Sequence, residues 1–251
     1  MTNNECKERL NRLNCLVVIP TYNNAGTICQ VIQSVQAYSE NLLIVNDGST
    51  DNTKAQIEKA KGVELLSYEP NQGKGYAITK AFEYAIKKGF RYVITIDADG
   101  QHFADDLPVF VETIEENPDT LLVGARNLQA ENMAQKNTFA NKFSNFWFKV
   151  ETGESLTDTQ SGYRLYPIQL LKNIHFFTNR YEYEVEVIVR AVWHNIKVKN
   201  IPVKVYYPPT EQRVSHFRPF HDFTRISILN TVLFSIAILW YYPTKLIKRC
   251  F

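Results

Sequence analysis

The feature that most constrains this chain is an alternation. Short apolar runs, Leu16–Pro20, Leu42–Val45, Tyr92–Ile96 and Leu121–Gly124, are each separated by stretches with helical spacing. Ile28, Val31, Ile32 and Val35 recur at helical intervals, a glycine turn at Asn71–Gly75 opens a helix reaching Lys88, and Pro108 sits in the first turn of a helix over 105–116. Strands that alternate with helices predict an α/β fold, a mostly parallel sheet covered on both faces. In such sheets ligands bind at the carboxyl ends of the strands. The polar clusters Thr21–Asn24, Asn46–Asp51, Asn71–Gly75 and Asp97–His102 each follow a strand, so all are expected on one rim.

Of these clusters, Asp97-Ala98-Asp99-Gly100-Gln101-His102 carries the most chemistry. In an extended chain residues two apart point the same way, so Asp97, Asp99 and Gln101 would present oxygen donors on one side. Hard cations such as Mg²⁺ or Mn²⁺ prefer such donors and share them with substrate phosphates. An Asp-x-Asp pair alone also describes an exposed turn; the weight comes from the apolar strand ahead of it. Two other phosphate-binding signatures are missing. No G-x-G-x-x-G follows the first strand, and Lys74 sits in Gly-Lys-Gly without the adjacent Ser or Thr of a P-loop. Hydride transfer and P-loop ATPase chemistry both lose ground. A net charge of +2 without a basic stripe gives no sign of nucleic-acid binding. Cys6, Cys15, Cys29 and Cys250 are scattered and read as reduced thiols, consistent with the cytosol. Residues 1–14 are polar and hold no signal-peptide core, so the catalytic part is expected to remain in the cytoplasm.

The second half changes character. An aromatic helix is expected from Met133 to Val150, then a polar stretch at Asp158–Arg164, a helix over 181–194 with Glu182, Glu184 and Glu186 near its start, and a strand over 196–207. Within the apolar stretch 223–242, residues 226–242 are slightly short and polar for a spanning helix. Trp240, Tyr241 and Tyr242, followed by Lys245, Lys248 and Arg249, suggest an interfacial anchor. Core helices or a dimer interface are the plainer reading of the same segments. The expected organisation is a polar N-terminal extension (1–14), a catalytic domain (15–210) and a membrane-interface helical tail (211–251). The expected location is the cytoplasmic side of the cell membrane, peripheral or shallowly inserted.

Four motifs in order, Val18-Ile19-Pro20-Thr21-Tyr22-Asn23, Val45-Asn46-Asp47-Gly48-Ser49-Thr50-Asp51, Asn71-Gln72-Gly73-Lys74-Gly75 and Asp97-Ala98-Asp99-Gly100-Gln101-His102, resemble the family 2 glycosyltransferases of GT-A fold. Gly124-Ala125-Arg126 and Asp158-Thr159-Gln160-Ser161-Gly162-Tyr163-Arg164 narrow the resemblance to dolichyl- or polyprenyl-phosphate sugar synthases. The resemblance implies a metal-dependent, inverting transfer of a sugar from a GDP- or UDP-linked donor to a polyprenyl phosphate at a membrane surface, with Mg²⁺ or Mn²⁺ as cofactor. It implies metal ligation by Asp97, Asp99 and Gln101. It implies nucleotide-sugar binding by Pro20, Tyr22, Asn24, Asp47, Lys74, Asp97, Ala98 and Asp99. Catalytic roles would fall to Asp97, Asp99, Arg126, Arg164, Asp158 and Glu186, with Glu182 and Glu184 competing for the last. A phosphate-monoester acceptor is already ionised near neutral pH, with a second pKa of about 6, and needs no general base. The sequence departs from the family at Asn23-Asn24, where Asn-Glu is common, and at Asn46-Asp47, where paired Asp is common. Arg213-Val214-Ser215-His216-Phe217-Arg218 also differs from the Arg-x-x-x-Ser-Lys segment of mannosyl-phosphate enzymes. The base and the sugar therefore stay open. Alternatives are the same donor site with a glycolipid, glycan or protein acceptor, a nucleotidyltransferase, or a non-catalytic sugar-nucleotide binding module.

Overall fold

The structure is a computed structural model that describes residues 1–126, 135–207 and 218–250. Seven strands form one sheet in the order β3-β2-β1-β4-β6-β5-β7. They are β1 (Cys15–Thr21), β2 (Leu42–Asp47), β3 (Glu64–Tyr68), β4 (Tyr92–Thr95), β5 (Thr120–Arg126), β6 (Arg164–Pro167) and β7 (Lys197–Val203). Every pairing is parallel except those of β6 with β4 and β5. The alternation thus yields the expected parallel sheet, with one reversed strand. β6 is the strand that periodicity misses: it is four residues long, begins with an arginine and ends with a proline. Its reversal matters for the site. Strands β1, β2, β4 and β5 reach the rim with their carboxyl ends, whereas β6 starts there, so the loop 158–163 ahead of it joins the same edge.

Helices cover both faces. One face carries α1 (Asn3–Arg12), α2 (Ile28–Gln36) and α5 (Leu107–Glu116), whose buried side chains join those of β1, β2 and β4 in one apolar cluster. The other carries α4 (Lys74–Lys88), α6 (Gln135–Thr152), α8 (Tyr183–Trp193) and the tail, packed around Val18, Val45, Phe82 and Phe148. The short helices α3 (Thr53–Ile57) and α7 (Ile168–Leu171) complete the set. Residues 1–14 differ from the expected extension. Thr2 and Glu5 form a reciprocal capping box, and Cys6 and Leu10 are buried against the domain. The sequence looks polar because only one narrow stripe of this helix faces inward.

The tail is one long rod: α9 (Pro219–Ile236), a π-helical turn (Ala237–Tyr241) and α10 (Tyr242–Cys250). The span Phe220–Ile247 is long and apolar enough to cross a membrane. Leu229, Leu233, Ala237 and Tyr241, each four residues apart, are buried in the domain's own core. Tyr241 was expected as part of an interface anchor. Instead it stacks on Trp193 and donates to the Thr152 carbonyl, and Tyr242 donates to the Val150 carbonyl at 2.7 Å. Trp240 remains exposed, as do Ile228, Val232, Leu239 and Leu246. The aromatic helix α6 joins this surface: Phe143 packs on Phe223, Trp147 on Phe234, and Phe146 points outward. Met133 and Arg213–Phe217, both singled out in the sequence, lie outside the described residues.

Candidate active site

A cavity of about 500 Å³ opens at the carboxyl edge of the sheet. Its lining includes Pro20, Tyr22, Asn24, Asp47, Lys74, Asp97, Ala98, Asp99 and Gln101, so every residue expected to bind nucleotide sugar or metal faces one space. Arg126, Asp158, Arg164 and Glu186 do not line it. Arg180, Tyr181 and Asp222 line it without having been singled out, and so do Asn71 and Arg218, which the sequence motifs contained without a role.

The loops around the cavity are cross-tied. Asn23 adopts a left-handed backbone (φ 53°), and its side-chain carbonyl accepts from the Thr50 and Asp51 amides. The Asn24 side chain accepts from Thr21 Oγ1 and the Tyr22 amide, and its own amide donates to Thr53 Oγ1 at 2.8 Å. The two asparagines thus fasten the end of β1 to the loop after β2. Asp47 likewise holds the loop after β3. Its carboxylate accepts from Asn71 Nδ2 at 2.7 Å, the Gln72 amide at 2.7 Å and the Gly73 amide at 2.8 Å. Burial pushes its pKa up, and those donors counter only part of the shift.

Beyond Asp47 stands an ion cluster. Lys74 Nζ lies 2.7 Å from Asp97 Oδ1 and 2.8 Å from Glu184 Oε1. Burial disfavours the Lys74 charge, but the two carboxylates outweigh it and raise its pKa. For Asp97 burial acts upward, and the Lys74 ammonium prevails and holds the carboxyl below its ordinary value. The arrangement needs a bare backbone at Gly162, where an added Cβ would collide with both Asp97 Oδ2 and Lys74 Nζ. Glu184, not Glu186, is therefore the acid of α8 at the site. Glu186 is fully buried and accepts from the Phe177 and Thr178 amides and from Thr178 Oγ1 at 2.6 Å, pinning the loop before α8. Positions two apart on a helix do not share a face, which is why only one of them reaches Lys74.

Arg164 also departs from expectation. It is fully buried and donates to the carbonyls of Ser161 (2.6 Å), Glu184 (2.5 Å) and Thr159 (2.9 Å). Its guanidinium knits β6 to α8 and has no path to an acceptor phosphate. Arg126 donates from Nε and Nη2 to Asp158 at 2.6 and 2.9 Å. Asp158 is fully buried and also accepts from Asn141 Nδ2 and the Gln160 amide. Although burial opposes its charge, Arg126 holds Asp158 below the usual carboxylate range.

The profile of the family described as "Glycosyl transferase family 2" matches residues 16–178, well over half of the chain. The chain belongs to glycosyltransferase family 2. The glycosyltransferase is similar to the UDP-N-acetylglucosamine–dolichyl-phosphate N-acetylglucosaminyltransferase of Methanococcus voltae, with 29% identity across 76% of this chain and 85% of that protein. It is also similar to the polyprenol monophosphomannose synthase of Mycolicibacterium smegmatis, with 24% identity across 75% and 76%. Its fold matches glucosyl-3-phosphoglycerate synthase from Mycobacterium tuberculosis, solved with Mn²⁺ and UDP-glucose, at a TM-score of 0.68 and 20% identity, covering 94% of this chain and 84% of that one. The GT-A architecture is thereby established.

Asp99 is the side chain of this glycosyltransferase best suited to a cation. Burial, reinforced by the Asp97 charge, pushes its pKa up to about 6, a cost that a bound divalent ion would relieve. Its Oδ1 accepts from the Gln101 amide at 2.9 Å, which fixes the carboxylate, and Gln101 stands beside it on the cavity wall. Among the described residues no group of three or more His, Cys, Asp or Glu could hold a metal ion by itself. Mg²⁺ and Mn²⁺ are commonly held by one or two carboxylates, with phosphate oxygens and water filling the rest.

Proposed function

We propose that this glycosyltransferase moves a sugar from a nucleoside diphosphate, UDP- or GDP-linked, to a polyprenyl phosphate, with a divalent cation at Asp99. One observation carries the acceptor: Arg218 and Asp222, at the start of the apolar tail rod, line the same cavity as Asp97 and Asp99. A substrate with a long hydrocarbon chain and a phosphate head can lie along Phe223, Phe234 and Phe146 while its head enters the cavity. The names of the relatives support the same acceptor class.

In this reading the nucleoside sits among Pro20, Tyr22, Asn24 and Asp47. Asp99 and Gln101 hold the cation, which neutralises charge on the departing diphosphate. Asp97 stays ionised through Lys74 and faces the ribose or sugar. Arg126, braced by Asp158, frames the acceptor side from behind the cavity wall. The acceptor phosphate needs no proton removed, so orientation supplies much of the rate, and direct displacement inverts the anomeric centre. The tail would rest on the cytoplasmic leaflet with Trp240, Leu239 and Leu246 toward lipid. The test is a panel of radiolabelled UDP- and GDP-sugars with polyprenyl phosphate and Mg²⁺ or Mn²⁺. Transfer to lipid that stops with EDTA and gives the inverted anomer is expected. Transfer only to an alcohol acceptor, or a retained anomer, would overturn the reading.

A further inference from the structure

Among the described residues, five arginine and lysine side chains stand at or near the rim, and three have their donors committed. Lys74 lies between Asp97 and Glu184, Arg126 on Asp158, and Arg164 on three carbonyls, while the exposed Arg218 has the Asp222 carboxylate 3.9 Å away. Arg180 differs. It is half-buried and lines the cavity, and among the described residues no carboxylate oxygen lies within 4.0 Å of its guanidinium.

The fold builds this placement. The Tyr76 amide donates to the Asn179 carbonyl at 2.9 Å, and an added Cβ at Gly73 would lie 2.6 Å from both Arg180 Cγ and Asn179 O. Gly73, at φ 108°, thus lets residues 179–180 lie flat on the turn that starts α4. The Arg180 Nη1 donates to Asn71 Oδ1 at 3.4 Å, and Asn71 Nδ2 donates to Asp47 at 2.7 Å. A neutral amide therefore stands between acid and guanidinium. It orients Arg180 without quenching its charge in the way Asp158 quenches Arg126.

We propose that Arg180 receives a phosphate oxyanion of a bound substrate. The proposal rests on the function proposed above, in which both substrates bring phosphate: the donor a diphosphate, the acceptor a monoester. A guanidinium presents planar, parallel donors to such oxygens. Losing one charge-assisted contact of this kind weakens binding by about tenfold or more.

The experiment uses the full chain with Mn²⁺. Calorimetry with UDP, GDP and UMP is run on wild type, Arg180→Gln and Arg180→Lys, alongside KM for polyprenyl phosphate. If the donor diphosphate is the ligand, Arg180→Gln weakens nucleoside-diphosphate binding about tenfold, changes UMP little, and Arg180→Lys recovers part of the loss. If the acceptor is the ligand, diphosphate binding holds and the acceptor KM rises by a similar factor, again partly recovered by lysine. Either result supports the assignment. Unchanged affinities and KM in a folded Arg180→Gln, checked by its melting curve, overturn it while leaving the function standing. Losses that Arg180→Lys does not recover at all also overturn it, because they mark a packing role. A wild-type chain that binds neither nucleoside diphosphate removes the parent function and this inference together.

Discussion

The helices on the two faces of the sheet obey different rules. In α2 and α5 the large apolar side chains, such as Ile28, Val31, Phe110 and Ile114, turn inward, and among the described residues neither helix exposes a large hydrophobic side chain. The tail rod has two apolar sides. Leu229, Leu233, Ala237 and Tyr241 pack on the domain, while Ile228, Val232, Ile238, Leu239 and Leu246 face out. One stripe is enough to dock a helix on a core. The second is not needed to dock the rod, and in the proposed function it faces lipid. The site shows the same division in polar form. Asp47 and Asp158 each have both oxygens engaged by neighbouring donors, whereas Asp99 at the cavity wall accepts from the Gln101 amide through Oδ1.

The sharpest way to separate fitted from surplus groups is Asp99→Ala. Turnover should fall by about a hundredfold or more while the melting temperature holds; full activity in a radiolabel assay would put the cation elsewhere. The inner stripe should behave as core. Leu233→Ala is expected to cost about 2–5 kcal/mol of stability by urea titration, and a cost near zero would mean that the rod is not docked.

Glu151 probes the ground beneath the tail. It is fully buried on α6, among the described residues neither side-chain oxygen has a hydrogen-bond partner, and burial pushes its pKa up to about 8. A carboxyl raised in the native state costs stability as pH climbs from its ordinary value of 4.5 through 8, because the unfolded chain loses the proton first. Glu151→Gln should therefore match wild type near pH 4 and exceed it at pH 8 by on the order of 4 kcal/mol. Parallel denaturation curves across that range would contradict it. The mildest change is on the outer stripe. Ile228→Asp with Leu239→Asp and Leu246→Asp should lower partition onto anionic vesicles about tenfold, with melting temperature and turnover of a short, water-soluble acceptor unchanged. Undiminished sedimentation with vesicles would remove the tail from the membrane contact. Deleting residues 223–251 is a poorer test, since it would also strip Leu229, Leu233 and Tyr241 from the core.

Much of this was legible because it is local. Strand and helix periods located β1, β2, β4 and β5, and a parallel sheet sends their trailing polar residues to one rim. Pro20, Tyr22, Asn24, Asp47 and Asp97–Gln101 meet there as the motifs imply. What escaped depends on long-range contact. Arg180 and Asn71 are 109 residues apart, and no local pattern links them. Helical phase, fixed only by packing, decides that Glu184 rather than Glu186 meets Lys74. Arg164 looks functional as a charged residue in a polar motif, yet its donors serve three carbonyls inside the protein. Tyr241 and Tyr242 have the composition of a membrane belt and the contacts of a core.

The position of Arg218 and Asp222 has a mechanical consequence. They sit at one end of a helical rod about 40 Å long, and the other end carries Leu246 and Ile247. In the membrane-bound state proposed above, a tilt of that rod would displace two charged groups at the cavity mouth, making the tail a lever as well as a foot.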